Sequence, residues 1–202
     1  MSDAAAWDAR YAGDDLAFGD APNRALQSLA PRLRPGMRAL ALADGEGRNG
    51  VHLARAGLRV TAVDWSAAGL AKARALAGRH GVGLDLVLAD LTAWDAPAGA
   101  FDLVAWIFLH LPPADRTVVA AKAVRALAPG GLLVLECFSP AQEGRRSGGP
   151  RDPALLWTPA LVRQHFAELE LLECLEGTVL LDEGPKHQGH AEVVRALLRR
   201  SA

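Results

Sequence analysis

No sign of charge dominates this chain of 202 residues: 22 lysines and arginines meet 23 aspartates and glutamates, a formal net charge of −1. That balance provides no field for a polyanion, so neither nucleic acid nor an acidic membrane surface is an expected partner. Cysteine is scarce. Cys137 and Cys174 lie far apart, each in an apolar run, which predicts buried free thiols rather than a disulfide or a metal site. No apolar run reaches membrane-spanning length. The opening MSDAAAWDARY is polar and lacks the apolar centre of a signal peptide. These absences predict a soluble, cytoplasmic protein.

Half of the residues are hydrophobic, and the length suits one domain with a sizeable core. Five short apolar runs, Ala39–Ala43, Leu58–Val63, Leu84–Ala89, Phe101–Leu109 and Leu132–Phe138, alternate with the helical stretches Arg48–Arg55, Ala67–Gly78 and Ala114–Leu127. Strands that are continuously apolar and separated by helices predict a parallel sheet covered on both faces. Two further runs, Glu168–Leu181 and Ala191–Arg199, have no helix between them and are expected to pair antiparallel. Ahead of the sheet, Asp3–Tyr11 and Pro22–Leu33 read as helices. Pro140–Pro153 reads as a long flexible loop, and Thr158-Pro159 starts a helix running to Phe166. The expected organisation is one domain over residues 1–202, with 1–35 a helical cap over a core formed by 36–202.

The chain is organised around Met37–Asp64, MRALALADGEGRNGVHLARAGLRVTAVD. It reads as strand, glycine turn, helix, strand, acid. Glycines let the backbone approach a ligand closely, and the first N–H groups of the following helix point into that space. An acid at the end of the second strand, Asp64, suits the two hydroxyls of a ribose. Gly45, Gly47 and Gly50 match GxGxxG, which points to an adenosine-containing cofactor. The motif alone does not choose between a dinucleotide and S-adenosylmethionine.

Taken together, ADGEGRNG, VTAVDWS, LADL, FDLVAWIFLHLP and LAPGGLLVLE, in that order, resemble a class I S-adenosylmethionine-dependent methyltransferase along nearly the whole chain. The stretch GEGRNGVHLARAGLRVTAVDWS is most similar to the small tellurite-resistance-type methyltransferases, which act on small molecules. The resemblance implies a Rossmann-like, seven-stranded, mostly parallel α/β sheet, with helices on both faces and a C-terminal antiparallel strand pair. It implies S-adenosylmethionine as cofactor, with S-adenosylhomocysteine as product. Gly45 and Gly47 would line the methionine part, in a loop that also brings Glu46 and Asn49 to the cofactor. Asp64 would hold the ribose hydroxyls, Trp65 would lie by the adenine, and Asp90 and Leu91 would read its amino edge. Ile107 and Phe108 would sit beside the sulfonium, and Tyr11 and Asp44 would approach the amino-acid end. One departure concerns the acid that the family's first strand usually carries ahead of its first glycine. Ala41 and Ala43 stand there, leaving Asp44 and Glu46 to supply the charge.

Sites in open α/β sheets lie beyond the carboxyl ends of the strands. That edge holds three candidate contacts for the acceptor or its proton: His110 after the fourth strand, Glu136 late in the fifth, and His187 in the polar loop EGPKHQGH. His110 also fits a turn cap. Glu136, an acid in an apolar strand, needs either a partner or a pocket. Phe18, Pro22 and Asn23 are candidates for a further wall, and Arg145 and Arg146 read either as a lid over an anion or as a solvated loop. The expected partner is a small-molecule methyl acceptor (thiol, chalcogen or metalloid oxyanion, amine or hydroxyl), and the expected state is a monomer or weak homodimer. Two rivals remain. A short-chain dehydrogenase would need a Tyr-x-x-x-Lys pair, and the only tyrosine is Tyr11. A non-catalytic S-adenosylmethionine-binding or regulatory protein on the same fold is motivated by Ala41 and Ala43.

Overall fold

The structure, a computed structural model, describes residues 4–202. Asp3, expected to begin the first helix, lies outside the described residues. The seven strands are β1 (Arg38–Leu42), β2 (Arg59–Asp64), β3 (Asp85–Leu88), β4 (Phe101–Ile107), β5 (Leu127–Phe138), β6 (Glu170–Asp182) and β7 (Gln188–Arg199). They form one sheet in the order β3-β2-β1-β4-β5-β7-β6. The pairs among β1 to β5 are parallel, whereas β7 runs antiparallel to both β5 and β6. This is the expected mostly parallel, seven-stranded Rossmann-like sheet. Because β1 and β4 are neighbours, the chain switches direction of travel across the sheet between them, which is where open α/β sheets place a ligand.

The helices are α1 (Ala4–Tyr11), α2 (Arg24–Gln27), α3 (Arg48–Arg55), α4 (Ala67–Arg79), α5 (Pro113–Ala126) and α6 (Pro159–His165). Alternation along β1 assigns the two faces. Leu40 and Leu42 join Val104, Trp106, Leu133 and Leu135 beneath α5 and α6. Ala39 and Ala41 join Ala62, Leu103 and Ala105 beneath α2 and α3, where Leu26 and Leu53 fill the space. Trp157 and Phe166 are core, with Trp157 in edge contact with Trp106 at 5.4 Å. Burying such side chains stabilises the fold by about 1.5–3 kcal/mol each.

Three local expectations need correction. Pro22–Leu33 is not one helix. Asn23 caps α2, so the helix begins at Arg24, and after Gln27 a separate 3-10 turn spans Ala30–Arg32. Pro31 has no N–H to continue the ladder and its ring disfavours a helical residue before it. The 140–153 loop is tied down rather than free: Gln142 accepts from the Glu192 N–H at 2.8 Å and donates to the Ser147 hydroxyl at 2.9 Å, and both side chains are buried. Arg145 pairs with Glu192. Finally, Cys137 is buried but Cys174 is only partly so, both as free thiols. No helix among the described residues is long and apolar enough to cross a membrane.

Candidate active site

The glycine turn leaves β1 through Ala43, whose φ of 49° is unusual for a residue with a side chain, and enters α3 at Gly47. Gly45 donates its N–H to Asp64 Oδ2 at 2.9 Å, and Ser66 donates to Oδ1 at 2.8 Å. A side chain at Gly45 would lie 2.5 Å from the Tyr11 hydroxyl, so only glycine admits the tyrosine here. Asp44 accepts from the Gly50 N–H at 3.0 Å. The acid missing at 41 and 43 thus has a substitute one residue further on, which fastens the turn to the first turn of α3. Ala41 itself is core.

Asp44, Glu46 and Asp64 are all buried at this turn. Glu46 accepts from Lys72 at 3.0 Å and from the Phe18 N–H at 3.3 Å. Asp44 and Asp64 are held by backbone N–H groups and form no ion pair among the described residues. Burial, with Asp64 close by, pushes the Asp44 carboxyl up to about 7. Burial also raises Asp64. The Tyr11 hydroxyl is pushed up first by burial, then by Asp64 and Glu46. Burial therefore disfavours the charged forms of Asp44 and Asp64, which a ligand with a positive centre and hydroxyl donors would stabilise.

Above the turn, α1 docks on α4. Asp8 caps α4, accepting from the Ser66 hydroxyl at 2.5 Å and the Ala68 N–H at 3.0 Å. The Tyr11 ring lies between Gly45 and Gly69, and Trp7 and Phe18 cover it at 5.4 and 6.3 Å. Trp65 is half-buried beyond Asp64. Asp90 is exposed and bonds Thr92 through its N–H and hydroxyl, each at 2.8 Å, with Leu91 half-buried beside it. Ile107 is buried at the end of β4. Phe108 has a φ of 50° and donates its N–H to the Glu136 carbonyl at 2.7 Å. Asn49 is turned toward the N-terminal segment, its Oδ1 accepting from the Asn23 N–H at 2.9 Å.

The three acceptor-side candidates separate. His110 is occupied by backbone: Nδ1 faces the Leu155 carbonyl at 2.9 Å and the Phe138 N–H points at Nε2 at 3.4 Å. Burial pushes it down to about 4, so it stays neutral. Glu136 has the partner that a buried acid requires: Arg195, its cross-strand neighbour in the β5–β7 register, pairs with it, and Asn23 Nδ2 donates to it at 2.6 Å. His187 is enclosed by the rings of Phe18, Phe108 and Phe138 at 4.7, 4.5 and 5.5 Å. Its Nδ1 is buried with no hydrogen bond, 3.8 Å from Glu183 Oε2. Burial lowers its pKa and Glu183 opposes that fall only in part.

Sequence reasoning missed the chain of groups behind His187. Glu183 is paired with Arg48 at 2.7 Å, and Asn23 Nδ2 reaches Glu183 at 3.1 Å as well as Glu136. Arg195, Glu136, Asn23, Glu183 and Arg48 thereby run in line from β7 to α3. An acid inside an apolar strand was the one available signal for this.

Residues 39–131 match a family model described as a methyltransferase domain. No curated protein matches the chain. Among solved structures, a protein studied for the conversion of a disulfide bond into a thioacetal group during echinomycin biosynthesis aligns with a TM-score of 0.80 at 22% identity, covering 98% of this chain and 93% of its own. The N-methyltransferase NodS from Bradyrhizobium japonicum WM9, in complex with S-adenosyl-L-homocysteine, aligns at 0.75 and 18%, covering 98% of each. TehB from Haemophilus influenzae aligns at 0.69 and 16%, covering 98% of this chain and 67% of its own. At these identities the likeness is one of fold. Residues 39–131 thus carry a methyltransferase domain, and the fold around them is shared with these solved structures, one of which holds S-adenosyl-L-homocysteine.

Proposed function

We propose that this enzyme methylates a small molecule, and that His187 accepts the proton the acceptor must lose. The observation that carries the reading is His187 itself, ringed by phenylalanines from three separate segments, with Glu183 behind its Nδ1 and its pKa lowered by burial. With Nδ1 protonated toward Glu183, Nε2 is the free base. A carboxylate that orients an imidazole in this way is a recurrent arrangement, and such contacts tighten when ligands bind. His110 and Glu136 are committed to structural partners and do not compete for this role.

When bound, S-adenosylmethionine supplies a methyl carbon made electrophilic by a positive sulfur. The residues present fit it. Asp64 would hold the ribose hydroxyls and Trp65 and Leu91 would flank the adenine, with Asp90 at its edge. Gly45, Gly47, Asp44 and Tyr11 would enclose the amino-acid end, with Glu46 and Asn49 supporting the turn, and Ile107 and Phe108 would face the sulfonium. Holding the reactants in line and excluding water supplies on the order of 7 kcal/mol or more of the barrier reduction. Glu46 and Asp44 answer the objection raised by Ala41 and Ala43, since the turn keeps its acids. The tellurite-resistance-type likeness supports a small acceptor and does not choose one.

The test is calorimetric titration of wild type, Asp64→Ala and His187→Ala with S-adenosylmethionine, S-adenosylhomocysteine and NAD. Both sulfur cofactors are expected to bind wild type at micromolar level and NAD not at all. Asp64→Ala should lose binding and His187→Ala should keep it. Equal affinity in wild type and Asp64→Ala, or preference for NAD, would refute the assignment.

A further inference from the structure

Residues 12–21 join α1 to the Asn23 cap without regular structure, and every one of them is exposed or half-buried. A segment that fills no core position is held by polar ties and opens at low cost. Its ends are anchored independently, by the docking of α1 on α4 and by Arg48, which donates to the Ala21 carbonyl at 3.2 Å. Between them the ties converge on one lysine. The Lys72 ammonium, on α4, donates to the Asp15 carbonyl at 2.6 Å and to Glu46 Oε1 at 3.0 Å. Glu46 in turn accepts the Phe18 N–H through Oε2 at 3.3 Å. Lys72 and Glu46 therefore grip the segment at Asp15 and at Phe18, and Glu46 belongs to the glycine turn. On its other side the segment meets the His187 loop. Lys186 donates its N–H to the Ala17 carbonyl at 3.3 Å, and a side chain at Gly19 would lie 3.2 Å from the Gly184 Cα. The Phe18 ring spans the two sides, 6.3 Å from Tyr11 and 4.7 Å from His187.

We propose that Lys72 is a positioning residue for the acceptor side of the site: by fastening residues 15–18 to the glycine turn it sets the Phe18 ring against His187 and makes that wall respond to the cofactor in the turn. The proposal rests on the reading of His187 given above. Lys72 acts through Phe18. Glu46 is buried and holds the ammonium in place, and the ammonium holds the Asp15 carbonyl by a charge-assisted bond, roughly twice as strong as a neutral one. A cofactor that fills the turn steadies Glu46 and Tyr11, so the segment hanging on them loses freedom and the Phe18 wall is completed. Opening the same segment uncovers Tyr11 and His187, both buried beneath it, and gives the reactants their way in.

The experiment uses full-length protein, free and with S-adenosylhomocysteine, as wild type, Lys72→Met, Lys72→Arg and the double variant Lys72→Met/Glu46→Gln, which removes the buried acid together with its partner. NMR records the nuclear Overhauser contact between the Phe18 ring and the His187 imidazole, and chymotrypsin cleavage at Leu16 and Phe18 is timed. Wild type should show the contact. Both variants lacking the lysine should lose it and be cut faster by about tenfold or more, while still unfolding cooperatively. Lys72→Arg should keep the contact and the slow cleavage. S-adenosylhomocysteine should slow cleavage in wild type and not in Lys72→Met. An unchanged contact and cleavage rate in the double variant would overturn the proposal, as would equal slowing by S-adenosylhomocysteine in wild type and Lys72→Met. Loss of the cooperative unfolding transition in the double variant would reduce Lys72 to structural support and overturn it too. A wild type that does not bind S-adenosylhomocysteine would instead overturn the functional reading, and the contact in the free protein would still decide what Lys72 holds.

Discussion

Replacing Asn23 tests the structure most sharply, because its side chain is used completely and is fully buried. Oδ1 caps α2 by accepting from Ala25 and Leu26 at 3.0 and 3.3 Å, while Nδ2 donates to Glu136 and Glu183 at 2.6 and 3.1 Å. Asn23→Ala removes two hydrogen bonds to charged acceptors, worth about 1.5–3 kcal/mol each, and a helix cap worth about 1 kcal/mol. Both carboxylates retain an arginine, so neither becomes an unpaired buried charge. The expected loss is therefore near the lower sum, about 3–4 kcal/mol. Asn23→Asp keeps the cap acceptor but sets a third carboxyl against the other two. Ionised, it would meet each at a cost of about 4 kcal/mol for charges some 4 Å apart near a protein surface. The folded state avoids that cost by keeping the new carboxyl protonated, which raises its folded pKa above the ordinary value of about 3.9. A group raised in this way is not penalised below its unfolded pKa and loses stability as pH climbs toward the folded one. The Asn23→Asp deficit relative to wild type should thus be at least about 2 kcal/mol larger at pH 8 than at pH 4. Urea unfolding of the three proteins at both pH values, with m-values compared, measures this directly. A deficit for Asn23→Asp that does not change with pH, or a loss under about 1 kcal/mol for Asn23→Ala, would refute the account of Asn23 as the link between the two buried acids.

Asp44 supplies a second pH dependence. Its carboxyl is raised from its ordinary range to about 7, so the folded protein retains a proton that the unfolded chain releases, and wild-type stability falls between about pH 4 and pH 7. Asp44→Asn should flatten that fall, by roughly 4 kcal/mol at the most, and parallel curves for the two proteins in thermal melts across this range would contradict it. At the roof of the site, a side chain at Gly184 would lie 2.3 Å from the Gly19 nitrogen and 2.4 Å from the Phe18 carbonyl carbon, at a φ of 100°. Gly184→Ala should therefore lift the Phe18 segment off the His187 loop, and limited proteolysis within residues 13–20 should become faster; an unchanged rate would count against that contact.

The alternation of strands and helices was legible because each element carries its signal locally. Leu40 and Leu42 face one layer and Ala39 and Ala41 the other, so both faces of β1 are buried and the strand reads as one continuous apolar run. The glycine turn and Asp64 were legible for a similar reason, since the ligand-facing backbone and the acid lie within one strand–helix–strand unit. The network behind His187 was not. Asn23 is separated from Glu136 by 113 positions and from Glu183 by 160, and polar side chains in loops have no periodicity that announces a distant partner. Glu136 shows where the boundary lies. Its apolar surroundings required a partner, but Arg195 becomes identifiable only from the β5–β7 register, in which the two residues face each other. The 140–153 loop was misread for the same reason: its composition of glycine, arginine and proline is that of a loop, but what orders it is Gln142 bonding to a strand 50 residues away.

The backbone itself marks the same place as the chemistry. Among the described residues, the two non-glycine residues with positive φ are Ala43 and Phe108, and they follow β1 and β4, the neighbouring strands at the switch point. Each such conformation costs on the order of 1–3 kcal/mol and persists only where its surroundings over-determine it. Here they do. The Asp44 N–H is held by the Val63 carbonyl, the Phe108 N–H is held by the Glu136 carbonyl, and both flanking strands are buried. The return is geometric. The turn at Ala43 delivers Asp44 and Gly45 to the end of β2, where Asp64 waits, and the turn at Phe108 sets its ring 4.5 Å from His187 and 4.7 Å from Phe138. Relaxing either residue into an ordinary strand conformation would redirect the groups that the proposed reaction uses, so the strain and the candidate site are two aspects of one packing solution.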